Sequence, residues 1–588
     1  MYGKMHSACL YGIEGVMIGV EIDLANGLPQ TSIIGLPDSA IREAVERVRA
    51  AVKNCGYRYP QQRVTINLAP ADLRKEGSAF DLAIALGILI TSGQLDMPEA
   101  AQLLLIGELA LDGSLRPVTG VLSMVEAARR NGMKAVLVPA GNAAEAALIS
   151  GMTVYAAEHL RQLPLPNTEG ERLAVIPNGK PMMANSELVT PAKGYTTAIP
   201  IKTASELSSL SSPVPERGEL PFPVTVSTGT VERERPPVKV YSLDHLRYIP
   251  ENTHIDSVNS EVNIMLEDYS DVLGQNHVKR ALVIAAAGMH NIVLMGPPGT
   301  GKTMLIKRLP GILPELDDNE SLEVTKIFSS AGKLKDTGSG LLRCRPFRSP
   351  HHTISAAGLI GGGGIPKPGE VSLAHRGVLF LDELPEFSRN VLEVLRQPLE
   401  DGVVTISRAR AVFTFPAQFL LACSMNPCSC GYLGNGGIHQ RCTCSPAKIA
   451  QYRGKISGPL LDRIDMQVDV PRQSDWNGEG SSISSAEMRS EVLKVQAIQA
   501  ERYRNLPISW NSELSGAALR RYARLHKDGR QLLNDILESL GLSMRAHDRI
   551  IKLARTIADL EGSADINTAH LAEAVQYRNL DRQIVVDE

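Results

Sequence analysis

Apolar residues occupy alternate positions in two stretches near the N-terminus: Val16, Ile18, Val20 and Ile22 in one, Val64, Ile66 and Leu68 in the other. A half-buried strand requires this period, because its successive side chains point to opposite faces. The pattern predicts strands at Val16–Asp23 and Val64–Leu68, and short apolar runs add Leu103–Leu105 and Ala135–Val138. Elsewhere the spacing changes to three and four, in Asp38–Asn54, Ser78–Ser92 and Leu122–Asn131, which predicts helices with one buried stripe. Residues 1–165 therefore read as one α/β domain. Between Pro164 and Pro250 the pattern disappears, and 13 of the 36 prolines fall there among Ser and Thr tracts. Proline removes a backbone donor and blocks helix, so 166–255 is expected to be a flexible linker. Strand and helix signals return in 256–475, and 485–585 shows helical periodicity alone, as a helical lid would.

Composition adds limits. At 588 residues the chain has room for about three or four domains. A net charge of −3 with 21% charged residues leaves no global basic signature, so a nucleic-acid partner would need a local basic surface. No run of about 18 apolar residues occurs, so nothing is expected to span a membrane. Glu14, Glu21 and Asp23 interrupt the first apolar stretch, which argues against a signal-peptide core and for a cytoplasmic protein.

The chemistry concentrates after residue 290. The apolar run Asn291–Met295 leads into Gly296-Pro297-Pro298-Gly299-Thr300-Gly301-Lys302-Thr303, and a helix is expected over Lys302–Leu309. Strand, glycine loop and helix start form the context in which backbone N–H groups cradle phosphates. Lys302 would reach the β/γ-phosphates and Thr303 would offer its hydroxyl to Mg²⁺, so ATP is the expected ligand. A second apolar strand, Val378–Leu381, ends in Asp382 and Glu383. Asp382 suits the Mg²⁺ shell and Glu383 suits activation of the attacking water. A third, Phe419–Asn426, ends in the amide of Asn426, placed to hydrogen-bond the γ-phosphate or the lytic water.

With Arg463 in Gly458-Pro-Leu-Leu-Asp-Arg463 and Arg545 in Ser543-Met-Arg545, these motifs resemble, in order, those of the AAA+ ATPases. The resemblance implies that Asn426 is sensor 1, Arg545 is sensor 2, and Arg463 is a finger reaching the neighbouring subunit's nucleotide. On the residues alone, Arg463 could instead pair with Asp462 or Asp465. The stretch 310–377 carries Arg343, Arg345, Arg348 and His351-His352. After a helix expected over Arg389–Glu400, the pattern predicts a hairpin of strands 403–407 and 411–415 with Arg408 and Arg410 at its tip. Both insertions resemble those of the magnesium chelatase motor and the minichromosome-maintenance helicases. Arg408 and Arg410 are then candidate DNA-backbone contacts, against a plain solvated tip.

Five of the eight cysteines fall in 423–444, and four form two C-x-C pairs, Cys428/Cys430 and Cys442/Cys444. Eleven residues with four glycines separate the pairs, which suits a tetrahedral Zn²⁺ site; His439 is an alternative donor. Cys423 on the third strand reads as core.

Residues 64–148 resemble the proteolytic domain of Lon, a ribosomal S5 domain 2-like fold, through Arg74–Ala83 and Gly107–Val118. The serine position falls on Ala79 and the lysine position on Leu122, so the nucleophile and base are missing. The domain reads as a platform with a basic flank of Arg42, Arg47, Arg49, Lys53, Arg58 and Arg63. The whole chain, through Pro346-Phe-Arg-Ser-Pro-His-His352, the motor motifs and the cysteine cluster, resembles the bacterial ComM family of magnesium chelatase-like ATPases. That resemblance implies a homo-hexameric DNA helicase of branch-migration type, acting in recombination during natural transformation. Two further readings stand beside it: a chelatase- or chaperone-like ATPase that remodels a protein partner, and an ATP-dependent protease.

Overall fold

The computed structural model describes residues 1–163, 243–249, 267–334, 340–363, 366–408, 411–434, 441–472, 482–541 and 543–578. The N-terminal region folds around a mixed seven-stranded sheet. Its order is Gln30–Ile34, Arg63–Ala69, Glu14–Ala25, Tyr2–Tyr11, Leu103–Leu105, Ala135–Pro139 and Thr153–Ala157. Helices Ser39–Asn54 and Asp81–Thr91 bury Ile41, Val48, Leu82 and Leu86 against Ile18, Val20, Ile22 and Ile66. Asp38 caps the first helix by accepting from the Ile41 N–H at 2.8 Å.

The ten-residue strand Tyr2–Tyr11 has no counterpart in the alternation, because a polar side chain, Ser7, occupies a fully buried position. Its hydroxyl is satisfied by the Leu105 carbonyl at 2.8 Å, so burial costs little. Within the expected linker, one described stretch packs on the N-terminal domain. Leu243 is buried in the N-terminal core, and the Tyr248 N–H donates to Val154 O at 2.8 Å. The stretch 243–249 is therefore part of that domain. Most of the linker, 166–242 and 250–255, lies outside the described residues.

The motor region holds a five-stranded sheet whose pairings are all parallel, in the order Phe347–Arg348, Val378–Leu381, Leu420–Met425, Ile292–Met295 and Met466–Asp469. Buried on both faces, its strands Ile292–Met295 and Val378–Leu381 read as continuous apolar runs. Parallel register brings the carboxyl ends of the three central strands to one edge, so Gly296, Asp382 and Asn426 converge there. The helices Ser485–Tyr503, Met544–Leu560 and Thr568–Gln576 share a core with one face of this sheet. The helix expected over Arg389–Glu400 is two, Arg389–Glu393 and Arg396–Asp401. Pro398 has no N–H to return to the Val394 carbonyl, which breaks the ladder between them. The hairpin pairs Val403–Arg408 with Ala411–Pro416. Arg410 lies outside the described residues.

The N-terminal domain packs on the motor. Ile13 enters the motor core, Tyr11 and Phe413 have ring centroids 4.7 Å apart, and Lys326 pairs with Glu126 where both side chains are buried.

Candidate active site

The phosphate loop opens at Gly296, where a Cβ would stand 2.2 Å from the Val470 carbonyl oxygen, so only glycine fits. Gly299 and Gly301 have φ of +79° and +83°, and nothing lies within 4 Å of where their Cβ atoms would be. The loop is an open cradle that side chains would fill. The Thr300 hydroxyl donates to Pro297 O at 3.0 Å and fixes the turn, which Pro298 continues. Lys302 is buried, with Nζ 2.7 Å from Gly296 O, 2.8 Å from Pro297 O and 3.3 Å from Asn426 Oδ1. Burial lowers its pKa, and the carboxylates of Asp382 and Glu383 oppose that shift. A buried ammonium satisfied only by neutral oxygens favours an arriving polyanion, so the cradle fits a nucleotide's phosphates.

Thr303 Oγ1 donates to Asp382 Oδ2 at 3.0 Å, which places the two expected Mg²⁺-shell groups side by side. Asp382 Oδ1 accepts from Ser424 Oγ and from the Glu383 N–H at 3.1 Å. Glu383 is exposed and has φ +54°, a left-handed conformation that costs a non-glycine residue about 1–2 kcal/mol. Ser424 escaped the sequence reading. It stands two residues before Asn426 on one strand face, so the alternation in Phe419–Asn426 was the signal that could have found it.

The two arginines lie together, and neither has a polar contact with the phosphate loop among the described residues. Arg463 is buried; its Nη2 donates to Glu400 Oε2, and its Nη1 donates to Pro459 O at 2.7 Å. Arg545 is exposed, with Nη2 3.5 Å from Glu400 Oε1. The Arg463 partner is thus Glu400, not Asp462 or Asp465. Asp465 instead pairs with Arg549 and lies 3.7 Å from His290. Burial alone would raise the Asp465 carboxyl, but Arg549 and His290 overrule it and hold its pKa well below the usual carboxylate range. Asn291 ties these parts to the sheet. Its Nδ2 donates to Arg463 O at 2.9 Å, its Oδ1 accepts from the Leu421 N–H at 2.9 Å, and its N–H donates to Asp465 Oδ2 at 2.9 Å.

The thiols of Cys428, Cys430, Cys442 and Cys444 lie within 4.8 Å of one another. Sγ separations are 3.3 Å for 428–430, 3.7 Å for 428–442 and 3.6 Å for 430–442. Zn–S bonds of about 2.3 Å in a tetrahedron would set sulfurs about 3.8 Å apart, so the donor set fits such an ion. His439 lies outside the described residues, and Cys423 is fully buried in the sheet. The cysteine loop also touches the phosphate loop: a Cβ at Gly431 would stand 2.8 Å from Pro298 Cδ.

In the N-terminal domain, Ala79 and Leu122 are both buried, and Ser78 donates its hydroxyl to Glu108. The one buried lysine nearby, Lys75, donates to the Pro70 carbonyl. The basic flank is partly neutralised, since Arg47 binds Asp81 through two nitrogens and Arg49 pairs with Glu46. Arg408 is exposed, donates to Gly363 O at 3.1 Å, and lines a cavity of about 770 Å³ with Tyr11, Arg42, Arg74 and Lys367. The hairpin flank therefore faces the chain's own N-terminal domain. No helix among the described residues is long and apolar enough to cross a membrane.

Three family models match the chain in series. "Subunit ChlI of Mg-chelatase" covers 20–142, "Magnesium chelatase, subunit ChlI" covers 268–477, and "Magnesium chelatase, subunit ChlI C-terminal" covers 482–578. The competence protein ComM of Haemophilus influenzae is 39% identical over 98% of this chain and 97% of its own length. The uncharacterized protein YifB of Salmonella typhimurium is 39% identical over 99% of this chain and 98% of its own. The magnesium-chelatase 38 kDa subunit of Rhodobacter capsulatus is 23% identical, over 52% of this chain and 84% of the subunit. Near-complete coverage at such identity, on a sheet that gathers the nucleotide motifs at one edge, places this chain in the ComM family of magnesium chelatase-like AAA+ ATPases.

Proposed function

We propose that the chain hydrolyses ATP as a homo-hexameric DNA motor and drives branched recombination intermediates during uptake of foreign DNA. The observation that carries the reading is the convergence of Lys302, Thr303, Asp382, Glu383 and Asn426 at the carboxyl edge of the parallel sheet. The name of the Haemophilus relative, a competence protein, supports the biological setting. When bound, Mg²⁺ would neutralise charge on the β- and γ-phosphates, held by Thr303 and Asp382. Lys302 exchanges its loop carbonyls for phosphate oxygens. Glu383, at the strand end and open to solvent, orients the attacking water, and Asn426, beside Lys302, hydrogen-bonds the γ-phosphate. Arg463 supplies the charge that the transition state of the adjacent subunit needs, and Arg545 senses the nucleotide of its own.

Arg408 and Arg410 contact the DNA backbone in this reading. The four thiolates of Cys428, Cys430, Cys442 and Cys444 hold a structural Zn²⁺, because a fully sulfur-ligated ion keeps no open position for water. Remodelling of a protein partner is the second reading. It draws on the hairpin flank lying against the N-terminal domain, where Asp72, Glu76 and Glu108 share the cavity with Arg42, Arg74, Lys367 and Arg408 and offset their charge. ATP turnover with and without branched DNA decides between the two: stimulation by DNA is expected, and turnover indifferent to single-stranded, duplex and branched DNA would refute the motor.

A further inference from the structure

Two arginines assigned to catalysis end on a single carboxylate. Glu400 stands in the last turn of the helix Arg396–Asp401, beside Gly402. Gly402 has φ +66° and turns the chain into the hairpin Val403–Pro416. Glu400 Oε2 accepts from Arg463 and Oε1 lies 3.5 Å from Arg545 Nη2, so one side chain bridges the two. The Arg463 side chain is 9% exposed and that of Glu400 is 49% exposed. The pairing leaves Arg463 incompletely satisfied: its buried Nε has no hydrogen-bond partner among the described residues. A guanidinium fork binds carboxylate and phosphate with the same planar geometry. Glu400 is therefore a direct competitor for the group that a neighbouring subunit's nucleotide would need.

We infer that Glu400 is a positioning residue: it latches Arg463 and Arg545 in the resting subunit and releases them when the hairpin moves. This deepens the proposed function and rests on the finger reading of Arg463. The hairpin begins at Val403, three residues after Glu400. A Cβ at Gly402 would stand 2.8 Å from Gln418 Cγ, and Gly402 O accepts from the Ala417 N–H at 2.8 Å, so the junction is held at both strands. Displacing the hairpin then displaces the carboxylate. A phosphate, with more charge and a free partner for Nε, takes the fork when Glu400 withdraws. DNA engaged by the hairpin is in this way linked to delivery of the finger, though the two arginines and the hairpin are far apart in sequence.

The test is the full-chain variant Glu400→Gln, which keeps shape and loses charge. Without DNA its ATP turnover should rise about fivefold, the factor that corresponds to about 1 kcal/mol for a half-exposed ion pair. Stimulation by DNA should shrink by the same factor, because the latch is already open. In an Arg463→Ala/Arg545→Ala background, where neither latched arginine remains, the substitution should leave the residual turnover unchanged. A merely structural role would lower turnover together with the thermal midpoint and would not depend on the two arginines. Unchanged or reduced basal turnover in Glu400→Gln, or a rise that persists in the Arg463→Ala/Arg545→Ala background, would overturn the latch. The basal measurement uses no DNA, so a wild-type protein indifferent to DNA would sink the motor reading and still leave this comparison decisive.

Discussion

Replacing Lys326 by Met tests how the N-terminal domain is held on the motor. Lys326 lies on the motor helix Asp318–Ser330 and Glu126 on the N-terminal helix Val121–Arg130. Their side chains are 8% and 6% exposed, so each charge depends on the other. Removing one member of a buried pair typically costs 3–5 kcal/mol, because the partner is left charged and desolvated. Glu126 retains Arg130 Nη2 at 2.8 Å, which offsets part of that loss. The expected cost of Lys326→Met is about 2–3 kcal/mol, a fall of about 5–10 °C in the midpoint for a unit of domain size. Glu126→Gln should cost at least as much, since it strands a buried ammonium. The double variant should be more stable than the sum of the singles implies, with a coupling of about 2 kcal/mol. Calorimetry of the full chain supplies the midpoints, and limited proteolysis at 37–40 °C (roughly physiological, where local opening governs cleavage) should show the seam opening first in the single variants. Additivity within about 0.5 kcal/mol would refute the buried pair as the clamp.

Glu383→Gln should keep ATP binding and lower phosphate release by about 10²–10⁴-fold, the usual worth of a positioned base; near-wild-type release would remove Glu383 from the mechanism. Arg408→Ala should flatten the log–log salt dependence of DNA binding by about 0.7–0.9, and an unchanged slope would move the phosphate contact elsewhere. Protein purified without chelator should carry about one Zn²⁺ per chain, and stripping it should impair turnover more than nucleotide binding; a metal-free, fully active protein would reject the site. The folded pKa of Asp465 lies below the ordinary value, so its stabilisation is present above about pH 4 and is lost as pH falls from there through the folded value. The gap in urea midpoint between wild type and Asp465→Asn should therefore narrow on acidification, and a constant gap would contradict the linkage.

The parts of this molecule legible in its sequence are those fixed by local pattern. Val378–Leu381 is a strand over the expected residues because a parallel strand buried on both faces must be apolar throughout, and turn chemistry bounds it. Tyr2–Tyr11 was illegible because Ser7 hides a buried position behind a polar side chain. The site divides in the same way. Asp382 and Asn426 follow strand ends, and Lys302 and Thr303 open the helix after the phosphate loop, where order along the chain foretells convergence. Glu400 and Asn291 meet Arg463 across 63 and 172 residues, and no periodicity records such a meeting. Pro398 could have been read as the break between two helices, but the apolar spacing around it masked the missing N–H.

Asn291 gives the phosphate loop a mechanical connection at its far end. A strand in a parallel sheet barely stretches, so Ile292–Met295 acts as a rod about 13 Å long. One end of the rod is Gly296. The other is Asn291, whose side chain grips the Arg463 carbonyl and whose N–H grips Asp465. An axial shift of the loop on filling or emptying would pass to the backbone of Arg463 with little slack. The push would travel from one subunit's own pocket to the residue proposed to serve its neighbour's, so around a closed ring each firing would set the timing of the next.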